Sequence, residues 1–176
     1  MEIIQIKVGQ LDTNCYILKA KKEAIIVDPG GDTEKILEKI EDQDVIIVNT
    51  HYHFDHTTAN DDLKKKLNAK ILIHESEKEY IDFEADKFLK EGDELEIDGK
   101  KLKVINTPGH SEGSICLLGD NFALTGDTLF DGGYGRTDLP GGEPAAMFKS
   151  LNRLNEILKN DMTIYPGHGE PFVWAE

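Results

Sequence analysis

Residues 50–56 read T-H-Y-H-F-D-H, and they hold half of the six histidines in the chain together with one aspartate. His51, His53 and Asp55 occupy alternate positions, so in an extended segment their side chains leave the same face of the chain. His56 follows directly and can reach the same point only if the chain turns there. Because imidazole and carboxylate groups bind zinc, iron and manganese, this stretch predicts a metal site rather than a solvated, histidine-rich loop.

Three more side chains of the metal-binding type follow the ends of predicted strands. They are His110 in T-P-G-H, Asp127 in T-G-D-T and His168 in P-G-H-G. Ligands at strand ends along one edge of a sheet stack can meet in one cleft. The resulting seven ligands are too many for one tetrahedral ion, whereas two ions that share Asp127 would use all seven. His74 also follows a strand, but it lacks such a flanking motif and is predicted not to bind metal.

The hydrophobic pattern predicts strands and helices in mixed order within one domain, residues 1–176. Short apolar runs and turn residues predict strands at residues 2–8, 14–19, 24–27, 45–48, 70–73, 114–118, 122–124 and 162–165, with a hairpin over 94–106. Helices are expected from Asp32 or Thr33 to Ile40, for about three turns after His56, near 75–80, and over 144–158 with Phe148, Leu151, Leu154 and Leu158 buried. Because several strand pairs leave no room for a helical crossover, we expect an α/β sandwich with mixed sheets.

Charge and composition exclude several classes of function. The formal net charge is −14 and only two residues are arginine, which argues against binding to nucleic acid. Apolar runs are the length of strands and the N-terminus carries an acid at position 2, so we expect no membrane span, no signal peptide and a cytoplasmic location. Cys15 and Cys116 have no Cys-x-x-Cys partner and are expected to be buried in strands rather than joined in a disulfide framework.

The ordered set of motifs closely resembles the metallo-β-lactamase fold superfamily over nearly the whole chain. T-H-Y-H-F-D-H, T-P-G-H, T-G-D-T-L-F and Y-P-G-H-G occur in the family's order, and D-P-G-G and T-N-C-Y-I-L also match. The resemblance implies a four-layer αββα sandwich with a dinuclear site between the sheets. One metal would be bound by His51, His53 and His110, the other by Asp55, His56 and His168, and Asp127 would bridge them.

The loop behind Asp127 resembles the glyoxalase II-like branch, that is, hydroxyacylglutathione hydrolases and their single-domain relatives. Its sequence G-D-T-L-F is followed by G-Y-G-R-T-D-L-P-G-G, whereas antibiotic-degrading relatives lack the bridging aspartate. Full-length glyoxalase II has a C-terminal helical extension that supplies much of its glutathione contact. Here only eight residues follow His168, which leaves the thiol carrier open.

The expected activity is hydrolysis of a small-molecule acyl thioester by a metal-bridging hydroxide. Zinc is the expected metal, with iron or manganese as alternatives, and Asp55 and Asp127 are the candidate catalytic residues. A thiolate, with a free pKa of about 8.5, can leave without a dedicated general acid. Two alternatives remain open: a persulfide dioxygenase that uses His51, His110 and Asp127 around one iron, and a metal-binding module without catalysis.

Three residues outside the ligand set have proposed roles. Tyr134 and Arg136 lie in the glycine-rich loop of residues 131–142 and are candidate substrate contacts, although Arg136 could instead pair with Asp138 to hold this loop. Asp28 is expected to support the histidine loop by hydrogen bonding, as metal-bound imidazoles commonly require. The sequence gives no prediction of oligomeric state.

Overall fold

Two mixed six-stranded sheets form the centre of the protein, whose computed structural model describes residues 1–175. The first sheet contains β1 (Glu2–Val8), β2 (Thr13–Lys19), β3 (Glu23–Val27), β4 (Asp44–Val48), β5 (Lys70–His74) and β6 (Lys87–Leu89), in that spatial order. The second contains β7 (Glu94–Ile97), β8 (Lys100–Asn106), β9 (Ile115–Leu118), β10 (Phe122–Gly126), β11 (Thr163–Pro166) and β12 (Phe172–Val173), again in sequence order.

Each sheet combines antiparallel hairpins with parallel pairs that need a crossover. In the first sheet, β1, β2 and β3 pair antiparallel, and β3 to β6 pair parallel. In the second, β10 and β11 pair parallel across a helix, and the other neighbours pair antiparallel. The β7–β8 turn is Asp98-Gly99 with φ of 55° and 70°, because a two-residue hairpin turn of this hand requires positive φ.

Four helices cover the outer faces of the sheets and complete a four-layer αββα sandwich. They are α1 (Thr33–Leu37), α2 (Phe54–Thr57), α3 (Asn60–Leu67) and α4 (Pro144–Ile157), and a single 3-10 turn follows at Glu75–Glu77 after β5. Ile36 of α1 and Leu63 of α3 are buried against the first sheet, whereas Leu154 of α4 is buried against the second. The predicted fold class is therefore confirmed.

Apolar side chains from both sheets interdigitate in the layer between them. Tyr16, Val27 and Val48 of the first sheet share this core with Val104 and Leu117 of the second. Alternate residues of the same strands face outward to the helices, as Ile26 and Ile47 do, because side chains alternate along a strand. Both cysteines are buried in strands, as expected.

Two helix predictions were wrong in part. The first helix begins at Thr33 after Asp32, as predicted, but it ends at Leu37 instead of Ile40. The Asp32 side chain does not cap the helix; its carboxylate accepts a hydrogen bond from the backbone N of Gly9. The helix expected after His56 is split into α2 and α3, and α2 begins at Phe54, inside the segment that was predicted to be extended.

The buried face of α4 also differs from the prediction. Phe148 is 66% exposed, and the buried positions are Met147, Ser150 and Leu154. The helix presents Met147 inward, where it packs against Gly109 of the loop that carries His110. Strands β6 and β12 were not predicted, because two or three residues are too few to show a periodic pattern. No helix within residues 1–175 is long and apolar enough to cross a membrane.

Candidate metal centre

The histidine-rich stretch leaves the first sheet at the end of β4 and changes conformation in its middle. His51 and His53 lie on the loop, whereas Asp55 and His56 lie in the turn of α2. The expectation that Asp55 shares one extended face with His51 and His53 is therefore wrong. Because the chain turns at Phe54, Asp55 is grouped with His56 and not with the two earlier histidines.

The other three candidate ligands come from the second sheet. His110 lies on the loop after β8, Asp127 directly follows β10, and His168 follows β11. Since β10 and β11 are parallel neighbours, their ends bring Asp127 and His168 to the same edge of the sheet. The structure brings all seven predicted ligands together at this edge.

The seven side chains form two groups with Asp127 between them. In the first group, His51, His53 and His110 place one nitrogen each within 4.8 Å of one another, and Asp55, His56 and His168 form a second group by the same measure. One Asp127 oxygen, Oδ2, lies 3.4 Å from His110 Nε2 and 3.5 Å from His168 Nε2. Its other oxygen, Oδ1, lies 3.5 Å from His56 Nε2. Asp127 thus faces both groups.

Several buried ligand atoms have no protein partner. Among residues 1–175, the unpaired buried atoms include His51 Nε2, His53 Nε2 and Asp127 Oδ1. An unpaired polar atom in a buried site costs free energy, so native proteins normally satisfy such atoms. Divalent cations would satisfy His51 Nε2 and Asp127 Oδ1, and the 2.8 Å approach of His53 Nδ1 to His110 Nε2 suits two nitrogens that share one cation, so the residues present fit a metal centre.

In His51 and His110, a hydrogen bond at Nδ1 leaves Nε2 as the nitrogen that faces the candidate metal centre. His110 Nδ1 donates to the Arg136 carbonyl at 2.7 Å, so Nε2 faces the site, where it lies 2.8 Å from His53 Nδ1. His51 Nδ1 lies 3.0 Å from Thr50 Oγ1, which itself donates to Asp28 Oδ2 at 2.6 Å. Such outer partners orient metal-binding imidazoles and set their tautomer.

Asp28 lies where the sequence predicted a supporting residue. Its carboxylate accepts hydrogen bonds from the backbone N and the hydroxyl of Thr50, at 2.7 and 2.6 Å, and Oδ2 lies 3.0 Å from His56 Nδ1. Asp28 is 2% exposed and adopts a left-handed φ of 54°. A buried carboxylate in this conformation links the end of β3 to both halves of the histidine stretch.

The protonation equilibria differ between the two groups. Burial, helped by neighbouring imidazoles, lowers the pKa of His51 well below its usual value and that of His53 to about 4. Both are therefore neutral near pH 7, the form that binds metals. Burial also disfavours a charge on His56, but the carboxylates of Asp127 and Asp28 outweigh it and raise the His56 pKa to about 9. The carboxylates around His56 therefore favour a positive charge at this position.

Two glycines permit the close approach of loops around the ligands. A Cβ on Gly135 would lie 2.0 Å from the Asp127 carbonyl oxygen and 2.9 Å from His110 Nδ1. A Cβ on Gly167 would lie 2.2 Å from Asp127 Oδ1. These distances are below van der Waals contact, so a side chain at either position would displace ligands.

The two candidate substrate contacts differ in position. Arg136 lines a cavity of about 490 Å³ beside the ligand cluster, but Asp138 binds its guanidinium through two hydrogen bonds of 2.7 and 2.8 Å. Tyr134 is 60% exposed and does not line this cavity. His74 belongs to neither ligand group; its Nδ1 accepts a hydrogen bond from the backbone N of Ser76 at 3.3 Å.

Sequence reasoning missed Glu77, a fully buried carboxylate that connects the two histidine loops. It accepts hydrogen bonds from the backbone N of Tyr52 at 2.8 Å, from Ser111 Oγ at 2.9 Å and from the backbone N of Gly113. Burial raises the pKa of Glu77, although these three hydrogen bonds oppose the shift. In the run E-S-E-K-E nothing distinguishes this glutamate from exposed ones, so no sequence signal could have identified it.

An αββα sandwich with a histidine- and aspartate-lined cleft at the sheet edge defines a class of metal-binding proteins. The family model described as the metallo-beta-lactamase superfamily matches residues 8–168, and the chain belongs to this superfamily. Hydroxyacylglutathione hydrolase GloC from Haemophilus influenzae is 33% identical over 194 aligned residues, which cover 96% of this chain and 91% of GloC. The family expected from the motifs is thereby confirmed.

Solved structures agree with this assignment. The crystal structure of BLEG-1 B3 metallo-beta-lactamase superposes with a TM-score of 0.90 at 30% identity, covering 98% of this chain and 94% of that one. TTHA1623, solved in a di-iron-bound form, superposes with a TM-score of 0.83 at 27% identity and coverages of 97% and 94%.

Proposed function

We propose that this domain is a dinuclear metal-dependent hydrolase that cleaves small-molecule acyl thioesters. The observation that carries the proposal is the position of Asp127 between two ligand groups of three residues each. Three ligands at each position plus the shared Asp127 would give each ion four protein ligands, so water and substrate would bind as fifth ligands, an expansion that catalytic zinc sites permit. The similarity to GloC, whose name gives hydroxyacylglutathione as its substrate, supports the thioester.

Two bound divalent ions would supply a hydroxide nucleophile near neutral pH and would polarise the acyl carbonyl. His51, His53 and His110 would hold one ion, Asp55, His56 and His168 the other, and Asp127 both. Zinc is the proposed metal, with iron or manganese as alternatives. Asp55 is fixed for this role, because its Oδ2 accepts a hydrogen bond from Thr13 Oγ1 at 3.0 Å and lies 3.2 Å from His168 Nε2.

The leaving group needs little help from the protein. A thiolate with a free pKa of about 8.5 departs without protonation, whereas an amine does not. Apolar side chains next to the ligands, Leu11, Phe54 and Leu139, would surround the reacting thioester and exclude bulk water. Exclusion of water strengthens the electrostatic interactions that stabilise a developing oxyanion.

The test is release of free thiol from acyl thioesters by the purified, metal-loaded protein, followed with a thiol-reactive dye. We expect turnover that is lost on chelation and in Asp127→Asn. A metal-loaded protein that releases no thiol from any thioester would refute the proposal. That result, with metal bound but no turnover of any kind, would favour the non-catalytic metal-binding module.

Two other activities are distinguished in parallel assays. Similarity to BLEG-1 favours β-lactam hydrolysis as a second candidate, which a chromogenic cephalosporin detects. The persulfide dioxygenase alternative predicts oxygen consumption with glutathione persulfide, whereas a thioester hydrolase consumes none. Activity on either substrate in place of thioesters would replace the proposed function.

A further inference from the structure

The surface next to the ligand cluster is apolar. The cavity of about 490 Å³ is bordered by Leu11, Phe54, Leu139 and Pro140 beside the histidines. Leu11 is 53% exposed and Phe54 is 69% exposed, although they come from different parts of the chain, the β1–β2 loop and the first residue of α2. Large apolar side chains that face solvent together beside a reactive centre are typical of a binding surface.

A second cavity, of about 560 Å³, adjoins the first and extends it along α2 and α3. Tyr52, His53 and Phe54 line both cavities. The second is further lined by Tyr80, which stacks on Tyr52 with ring centroids 4.9 Å apart, and by Phe83. Its charged side chains are the carboxylates of Asp61 and Asp82, and both would repel an anionic ligand.

The two cavities together offer one fixed cation from the protein. Among the described residues 1–175 that line them, Arg136 is the only lysine or arginine. Asp138 occupies both the Nε and Nη2 donors of Arg136, at 2.7 and 2.8 Å. The remaining guanidinium donors, on Nη1 and the other Nη2 hydrogen, stay open, but Asp138 already balances the charge of Arg136. A substrate carboxylate bound there would share the exposed arginine with Asp138 and would therefore gain little net affinity.

We propose that the site selects thioesters that carry no negative charge, with an apolar acyl chain and an uncharged thiol portion, and disfavours conjugates of glutathione. This inference rests on the proposed thioesterase function and adds the substrate class. A glutathione conjugate brings two carboxylates and one ammonium group, a net charge of −1, to a surface with two aspartates and an arginine whose charge Asp138 balances. A neutral thioester instead buries apolar surface against Phe54, Tyr80 and Phe83 without desolvating a charge.

The experiment compares one acyl group on two thiols, S-hexanoyl-N-acetylcysteamine and S-hexanoylglutathione, with the metal-loaded protein. We expect kcat/KM to be at least about tenfold higher for the neutral thioester, a factor that corresponds to about 1.4 kcal/mol. Equal values, or a preference for the glutathione conjugate, would overturn the selectivity and leave the thioesterase function standing. Absence of thiol release from both would instead refute the function on which the inference rests.

A charge-matched pair of variants tests the role assigned to Asp138. Asp138→Asn frees the Arg136 guanidinium, so the preference for the neutral thioester should fall by about fivefold to tenfold. Asp131→Asn removes the same charge from the same exposed loop without freeing an arginine, so it should leave the preference unchanged. If Asp138→Asn and Asp131→Asn change the preference for the neutral thioester equally, the pairing of Arg136 with Asp138 does not set this preference.

Binding of non-hydrolysable thioethers gives a readout that is independent of turnover. Titration calorimetry with S-hexyl-N-acetylcysteamine and S-hexylglutathione should give the tighter binding for the neutral compound. The difference in affinity between the two compounds should be smaller in Asp138→Asn than in the unmodified protein. Tighter binding of S-hexylglutathione to the unmodified protein would overturn the inference even if the protein hydrolysed neither thioester.

Discussion

Replacement of Glu77 by glutamine should destabilise the protein and weaken metal binding, although its carboxylate forms no hydrogen bond with the side chain of a candidate ligand. The carboxylate Oε2 accepts from the backbone N of Tyr52, which lies between His51 and His53. Its Oε1 accepts from Ser111 Oγ and from the backbone N of Gly113, on the loop after His110. One buried side chain thereby fixes the relative position of the two loops that supply the first ligand group.

The magnitude follows from the loss of one acceptor. In glutamine one oxygen becomes an NH₂ group, which must face a buried N–H or hydroxyl that then has no acceptor. Such a buried unsatisfied donor costs about 1–3 kcal/mol. For a chain of this length 1 kcal/mol shifts the melting temperature by about 2–4 °C, so we expect a decrease of roughly 2–12 °C.

The assay is thermal unfolding of the metal-free protein followed by metal titration. We expect Glu77→Gln to weaken metal binding by about 10-fold, at the low end of the effect of removing partners that orient metal ligands. Glu79→Gln is the matched control, because Glu79 is exposed and lies two residues further along. If Glu77→Gln and Glu79→Gln have the same melting temperature and metal affinity, Glu77 does not position these loops.

Three further perturbations test the centre. Asp28→Asn should weaken metal binding by roughly 10–100-fold, measured by competition with a chromogenic chelator, because an amide keeps only one of the two oxygens that accept hydrogen bonds from Thr50; unchanged affinity would contradict this. Gly135→Ala should lower the free energy of unfolding by about 1–3 kcal/mol in denaturant melts, since its Cβ would overlap the Asp127 carbonyl, whereas Gly133→Ala, with open space around it, should not. Chelation should remove about two metal equivalents per chain, determined by elemental analysis, and lower the melting temperature by roughly 11–22 °C if each of the two ions saturates its site at about 100 times Kd; a protein isolated with no bound metal that gains no stability on metal addition would refute the centre.

Local sequence patterns predicted most strands and the fold class, but they failed where packing overrides local preference. The β-branched run at residues 45–48 lies in β4, as predicted. Asp98-Gly99 forms the predicted hairpin turn between β7 and β8. In α4, the helical period allowed either Phe148 or Met147 to face inward, and contact with the loop at Gly109 selected Met147. A helical period fixes the spacing of a buried stripe but not which neighbour it meets.

The composition of the candidate site follows from its motifs, whereas its division into two groups was predicted only through the family resemblance. All seven candidate ligand positions come from short motifs at strand ends, and the structure brings them together. The grouping of Asp55 with His56 depends on the turn at Phe54, which the pattern of alternation does not reveal. The pairing of Arg136 with Asp138 was one of two sequence interpretations, and the short separation of two residues gave no reason to prefer it.

The sequence by itself determined that this chain gathers imidazoles and carboxylates at strand ends within a mixed α/β fold, because those features reside in residue type and spacing. Only the tertiary structure decided that Glu77 joins the two histidine loops and that the cleft beside the candidate ligands is apolar. These properties depend on contacts between residues far apart in the chain, such as Tyr52 with Glu77, 25 positions apart, and His56 with His168, 112 positions apart. Separations of that size are fixed by the packing of two sheets and leave no trace in local sequence.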